Sequence, residues 1–181
     1  MKHALSRLLL ASALGAGFCA LPAWSEELGQ VRFTFDGVEH TWFTLTHEVR
    51  GKSRPSAQLS SRSITDSIDI DAFPDPGAAT LERLSLTWIY PRSITQPGPP
   101  DYTRAMRFDI VWNLEGGIGP HWIGRDAKLD ISTVDLEGDA GHLTGTFTAE
   151  FCYSAEFYGN PDESTCQPVS GSVDTAIIRR E

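Results

Sequence analysis

The chain has 181 residues, 22% of them charged, with 24 acidic against 15 basic side chains and a formal net charge of −9. Phosphate contacts require a basic patch, and here only Arg179 and Arg180 stand side by side, so the composition argues against a nucleic-acid partner. After the N-terminal apolar run no other stretch is long and apolar enough to cross a bilayer as a helix, so no membrane span is expected in the remaining chain.

Residues 1–25 read as a secretory signal peptide. Lys2 and Arg7 give a basic start, Leu8 to Leu21 is apolar, and Ala23 and Ser25 are small residues three and one before a cut after Ser25. Cys19 follows an apolar run, as an acylated cysteine does, but the bulky Phe18 before it disfavours a lipid anchor. The expected product is a single domain, residues 26–181, that is periplasmic or secreted. Loss of Lys2 and Arg7 takes its net charge to −11, which favours solubility.

From Gln30 onward the chain alternates. Val31, Phe33 and Phe35 oppose Arg32 and Thr34, and Asp36-Gly37 is a strong hairpin signal. Glu39 to Glu48 resumes as a strand with an aromatic residue on each face, Trp42 and Phe43, which suggests contact on both sides. Arg50 to Pro55 reads as a basic loop, and Ala57 to Ser63 has no clear period. Ile64 to Phe73 alternates through Ile68 and Ile70 until the prolines of DAFPDPGAA interrupt it. Leu81 to Tyr90 predicts a strand with Leu84, Leu86, Trp88 and Tyr90 inward. Pro91 to Asp101 is a proline-rich connection. Arg104 to Leu114 predicts another strand, with Met106, Phe108, Ile110, Trp112 and Leu114 on one face.

A glycine-rich loop spans Glu115 to Asp126, followed by a strand over Lys128 to Leu136 and the turn EGDAG. Two more alternating runs, His142 to Tyr153 and Val169 to Arg180, flank a polar loop bounded by Cys152 and Cys166. With Cys19 removed those are the remaining cysteines, and an even count in an oxidising compartment predicts a disulfide between them. About eight strands with Gly and Pro in nearly every connection predict an all-β fold: an antiparallel β-sandwich, or alternatively a small up-and-down β-barrel.

No stretch carries a catalytic or cofactor motif. His40, His47, His121 and His142 form no closely spaced pair, and there is neither an H-E-x-x-H sequence nor a G-x-S-x-G elbow. The candidate sites are therefore binding sites. In the glycine-rich loop, His121, Trp122, Arg125 and Asp126 offer a titratable group, a stacking face and a charge pair. Phe157 and Tyr158 stand in the loop that the disulfide holds, and preorganised aromatics are frequent anchors at interfaces. Asp66, Asp69, Asp71 and Asp75 form one acidic group, and Asp135, Glu137 and Asp139 recur at alternate positions in a second. Calcium takes oxygens from such turns, although neither run has the glycine and terminal glutamate of an EF-hand loop. Calcium is thus the one cofactor to be weighed, at Asp135, Glu137 and Asp139.

The functional expectation is an exported, non-catalytic binding or interaction module, its partner an envelope protein or a small ligand. The alternatives are a small-ligand carrier with a barrel interior and a hydrolase with a site near His121.

Overall fold

The computed structural model describes residues 25–62, 64–91, 105–156 and 159–180. Residues 1–24, which hold nearly all of the expected signal peptide, residues 92–104, which hold the proline-rich connection after Pro91, and Phe157 and Tyr158 lie outside the described residues. Among the described residues ten strands form: β1 (Glu26–Phe35), β2 (Val38–Val49), β3 (Lys52–Pro55), β4 (Ala57–Ser61), β5 (Thr65–Ala72), β6 (Arg83–Pro91), β7 (Arg107–Asn113), β8 (His121–Glu137), β9 (Ala140–Ser154) and β10 (Asp162–Arg180). The described chain is all-β, as the alternation predicts. Two of the ten strands were not legible. β3 occupies the basic segment read as a loop, and β4 the segment without a clear period. β8 also begins earlier than expected, so that Trp122 to Asp126 are strand rather than loop.

All ten strands belong to one sheet, ordered β3-β2-β1-β10-β4-β5-β6-β7-β8-β9, and β9 pairs back onto β10. That last pairing closes the ladder into a ring, which is how a sheet removes its aggregation-prone edges. Every ladder is antiparallel except the short one in which Ile178 to Arg180 run parallel to Gln58 to Ser60. On the open side of β2, the remaining edge strand β3 carries Lys52, Arg54 and Pro55, residue types that block strand addition.

β10 is the seam. One edge pairs with β9 from Asp162 to Ile178, while the other pairs with β1 over Val169 to Thr175 and then with β4. Between β10 and β5 the wall is thus made of β4 at one end and the β1–β2 hairpin at the other. β2 is stitched to its far neighbours by paired bonds: the Phe43 and Phe73 backbones exchange N–H···O contacts at 2.8 and 2.9 Å, and Leu45 N–H donates to Ser56 Oγ at 2.8 Å. Burial on both faces of β2 follows, with Trp42 in the main core and Leu45 fully buried on the other side.

Inside the ring the inward parities meet. Val31, Phe33, Leu84, Leu86, Trp88, Ile110, Leu143, Phe147, Phe151, Val169, Val173 and Ile177 form one packed cluster. β10 looks weaker in sequence because two of its inward positions are Gly171 and Thr175. The Phe147 ring lies over Gly171, its partner in register, and occupies the space a side chain would need. One expected inward residue is not inward: Met106 precedes β7 and is 66% exposed, because β7 starts at Arg107 rather than at Arg104. Outward positions of β1, β9 and β10 are polar, among them Arg32, Thr34, Thr144, Thr146, Thr148, Ser170 and Ser172. Among the described residues no helix is long and apolar enough to cross a membrane.

Candidate functional site

One end of the ring gathers the features singled out in the sequence. Here β1 turns into β2 at Asp36 and Gly37, both with positive φ as a tight hairpin turn demands. The start of β6, the end of β7, the start of β8 and the end of β9 meet in register through Arg83, Asn113, His121 and Ser154. The loop 114–120 and the disulfide-held connection both rise from this rim.

Aromatic side chains floor it. Phe35 packs edge-on to Trp112 at 5.6 Å, to Trp122 at 4.9 Å and to Phe151 at 5.5 Å, and Trp122 meets Tyr153 at 5.3 Å. Phe33 stacks on His40 at 4.7 Å. Edge-to-face pairs of this kind add to the stabilisation from area alone. Trp112 Nε1 donates to Glu82 Oε1 at 3.2 Å, which gives the buried ring a polar partner at the rim.

His121 begins β8 and is 2% exposed, its Nδ1 3.0 Å from the Gly119 carbonyl. It lies in a buried polar row, Asn113–His121–Ser154, that crosses three strands and was not foreseen from sequence. Ser154 Oγ donates to the Glu156 carbonyl at 2.7 Å, so the row anchors the start of the disulfide-held loop. Trp122 is half-buried against Phe35. Arg125 is exposed and bonds Glu163 at 2.7 Å, which holds its guanidinium above its ordinary pKa and ties β8 to the start of β10. Asp126 sits at a bulge with φ +49°. His121 and Asp126 are five residues apart on one extended strand, about 16 Å. They do not converge on a reacting atom.

Cys152 and Cys166 are joined, with Cα atoms 4.1 Å apart. The register jumps here: Asp162 opposes Tyr153 and Gln167 opposes Phe151, so Glu163 to Cys166 bulge opposite the single residue Cys152. The disulfide fastens that bulge to the buried end of β9.

Among the described residues neither acidic group forms a cluster. On the outer face of β5, Asp69 accepts from Thr87 at 3.1 Å and Asp71 from Ser85 at 2.6 Å, while Asp75 accepts from the Gly77 amide. Asp66 has the opposite parity and points inward with Ile68 and Ile70. Asp135 is exposed on β8, Asp139 lies in the following turn, and the side chain of Glu137 is outside the described residues. Among the described residues no group of three or more His, Cys, Asp or Glu could hold a metal ion.

Comparison with protein-family models, with curated proteins and with solved structures finds no match for this chain.

Proposed function

We propose that the domain is a non-catalytic binding module of the cell envelope, exported by its leader, which holds a protein partner on the loop-bearing end of the ring. The observation that carries this reading is the exposure of large apolar side chains there: Val38 is 55% exposed, Leu81 72% and Ile118 86%. They come from three separate segments. Val38 is in register with Phe35 at the hairpin turn, and Leu81 precedes β6 and lies beside Gly116 of the loop that also carries Ile118. Exposed apolar groups rimmed by polar residues are what partner surfaces offer. Trp122 and the disulfide-held loop with Phe157 and Tyr158 belong to the same reading.

A hydrolase built on His121 gains less support, because His121 is enclosed and Asp126 is far along the strand. A carrier that encloses its ligand at the centre of the ring gains less, because Phe33, Trp88, Phe147 and Phe151 fill that volume. The test is affinity capture from an envelope extract with the wild-type domain and with Leu81→Ser/Ile118→Ser. A partner enriched by the wild type and lost with the double variant supports the module. An identical set of captured proteins, or none with either, removes it.

A further inference from the structure

The opposite end of the ring holds a second polar feature, and it is inside. β5 presents Asp66, Ile68, Ile70 and Ala72 inward, so a carboxylate occupies the last position of an apolar row. Asp66 is 5% exposed. Directly opposite in register is Tyr90, and Trp88 faces Ile68 one inward pair further along; both aromatic residues are fully buried. Phe108, in register with Trp88, stacks on it at 5.1 Å with 26° between the planes. Asp66 Oδ1 and Trp88 Nε1 are buried, and neither has a hydrogen-bond partner among the described residues.

Such a pair is costly on physical grounds. A buried acceptor and a buried donor each forfeit their hydration, and a buried carboxylate without a counter-charge forfeits more. The outer-face aspartates of the same strand have no such deficit, since Ser85 and Thr87 supply their bonds. The unmet needs of this pole are complementary: Asp66 Oδ1 needs a donor, best a positive one, and Trp88 Nε1–H needs an acceptor. The surrounding rings favour a cation over an anion.

We propose that Asp66, Trp88 and Tyr90 form a binding site for a small, water-soluble primary amine with a neighbouring oxygen acceptor, the chemistry of an amino alcohol. Its ammonium group donates to Asp66, its oxygen accepts from Trp88 Nε1, and its carbon chain lies against the Trp88 and Tyr90 rings. The site is independent of the partner surface at the other end.

The experiment is a calorimetric titration of the full domain with ethanolamine, with n-propylammonium as the amine lacking an oxygen and ethylene glycol as the diol lacking a charge. Ethanolamine is expected to bind saturably and most tightly, and ethylene glycol not to bind. Asp66→Asn is expected to weaken ethanolamine by about tenfold or more. Trp88→Phe is expected to abolish the preference for ethanolamine over propylammonium. Should either variant fail to fold, the Trp88 indole N–H resonance of the wild type serves instead, and it is expected to shift on addition of ethanolamine. Absence of saturable binding, equal affinity in Asp66→Asn, or an indole resonance that stays in place while others move overturns the proposal.

Discussion

Thr44 on β2 and Thr175 on β10 meet hydroxyl to hydroxyl at 2.6 Å, fully buried, though 131 residues separate them. Thr175 Oγ1 also donates to the Ala176 carbonyl at 3.0 Å, so its single proton is committed and the short bond runs from Thr44 to Thr175. Thr175→Val therefore strands a buried donor and is expected to cost about 1–3 kcal/mol, whereas Thr44→Val removes that donor and costs less. With both replaced by Val, denaturant midpoints should lie closer to wild type than with Thr175→Val alone. Strict additivity would show that the two hydroxyls are not coupled.

The contact depends on Gly29. β1 bulges between Glu27 and Gly29, and a Cβ at Gly29 would fall 2.5 Å from Thr175 Cα and overlap the Asp174 carbonyl oxygen. Backbone cannot move aside as a side-chain tip can, so Gly29→Ala should cost up to about 3 kcal/mol by parting β1 from β10. Gly37 is the contrast. It has φ +72° and nothing within 4 Å of a Cβ, so Gly37→Ala should cost only the left-handed conformational penalty, about 1 kcal/mol. Urea unfolding of the two variants side by side checks the ranking.

Reducing the Cys152–Cys166 disulfide reopens a loop with a sequence separation of 14. The expected loss is about 3 kcal/mol, measured as the shift in urea midpoint with and without reductant. Hydrogen exchange should rise first at Tyr153, whose amide bonds Thr165 Oγ1 inside the bulge, while the β9–β10 register beyond Phe151 stays protected.

Asp162 opens the same bulge and gives it a pH dependence. Its carboxylate accepts from the Ser164 hydroxyl at 2.7 Å and from the Ser164 amide at 2.9 Å, and these bonds hold its pKa below the ordinary aspartate value. A lowered folded-state pKa means that the stabilisation is present at neutral pH and is lost as pH falls through that lowered value. NMR titration should show the Asp162 carboxyl and the Ser164 amide titrating together, below the range of an exposed aspartate. In Asp162→Asn the Ser164 amide should not follow that transition. A wild-type midpoint at or above the ordinary value would mean that the bonds do not persist in solution.

Much of the fold was legible because period two survives wherever one face is buried. Val31–Phe35, Leu84–Tyr90 and Leu143–Phe151 carry apolar inward residues, and Asp36-Gly37 is the expected hairpin turn. The Cys152–Cys166 disulfide is the pairing that the even count predicts once Cys19 is set aside. What did not show were features fixed by distant partners. β3 and β4 are four and five residues long and polar in places, and they are strands because β2, β5 and β10 accept them. Closure of the sheet leaves no local mark either. Within the candidate sites the missed signal was parity. Asp66 shares the parity of Ile68 and Ile70, yet counting carboxylates grouped it with Asp69 and Asp71, which face the other way. The glycines before His121 place it in a loop by sequence, and nothing local distinguishes a loop histidine from one that starts a buried polar row.

The role of β10 as seam also governs when the structure can form. β1, β4 and β9 all pair with it, and the register joins Gly29 to Thr175. During synthesis the first hairpin therefore waits for a neighbour far downstream in the chain. Contacts of such sequence separation make folding slow and concerted. Until β10 is made, β1, β4 and β9 each lack a neighbour and the ring cannot close.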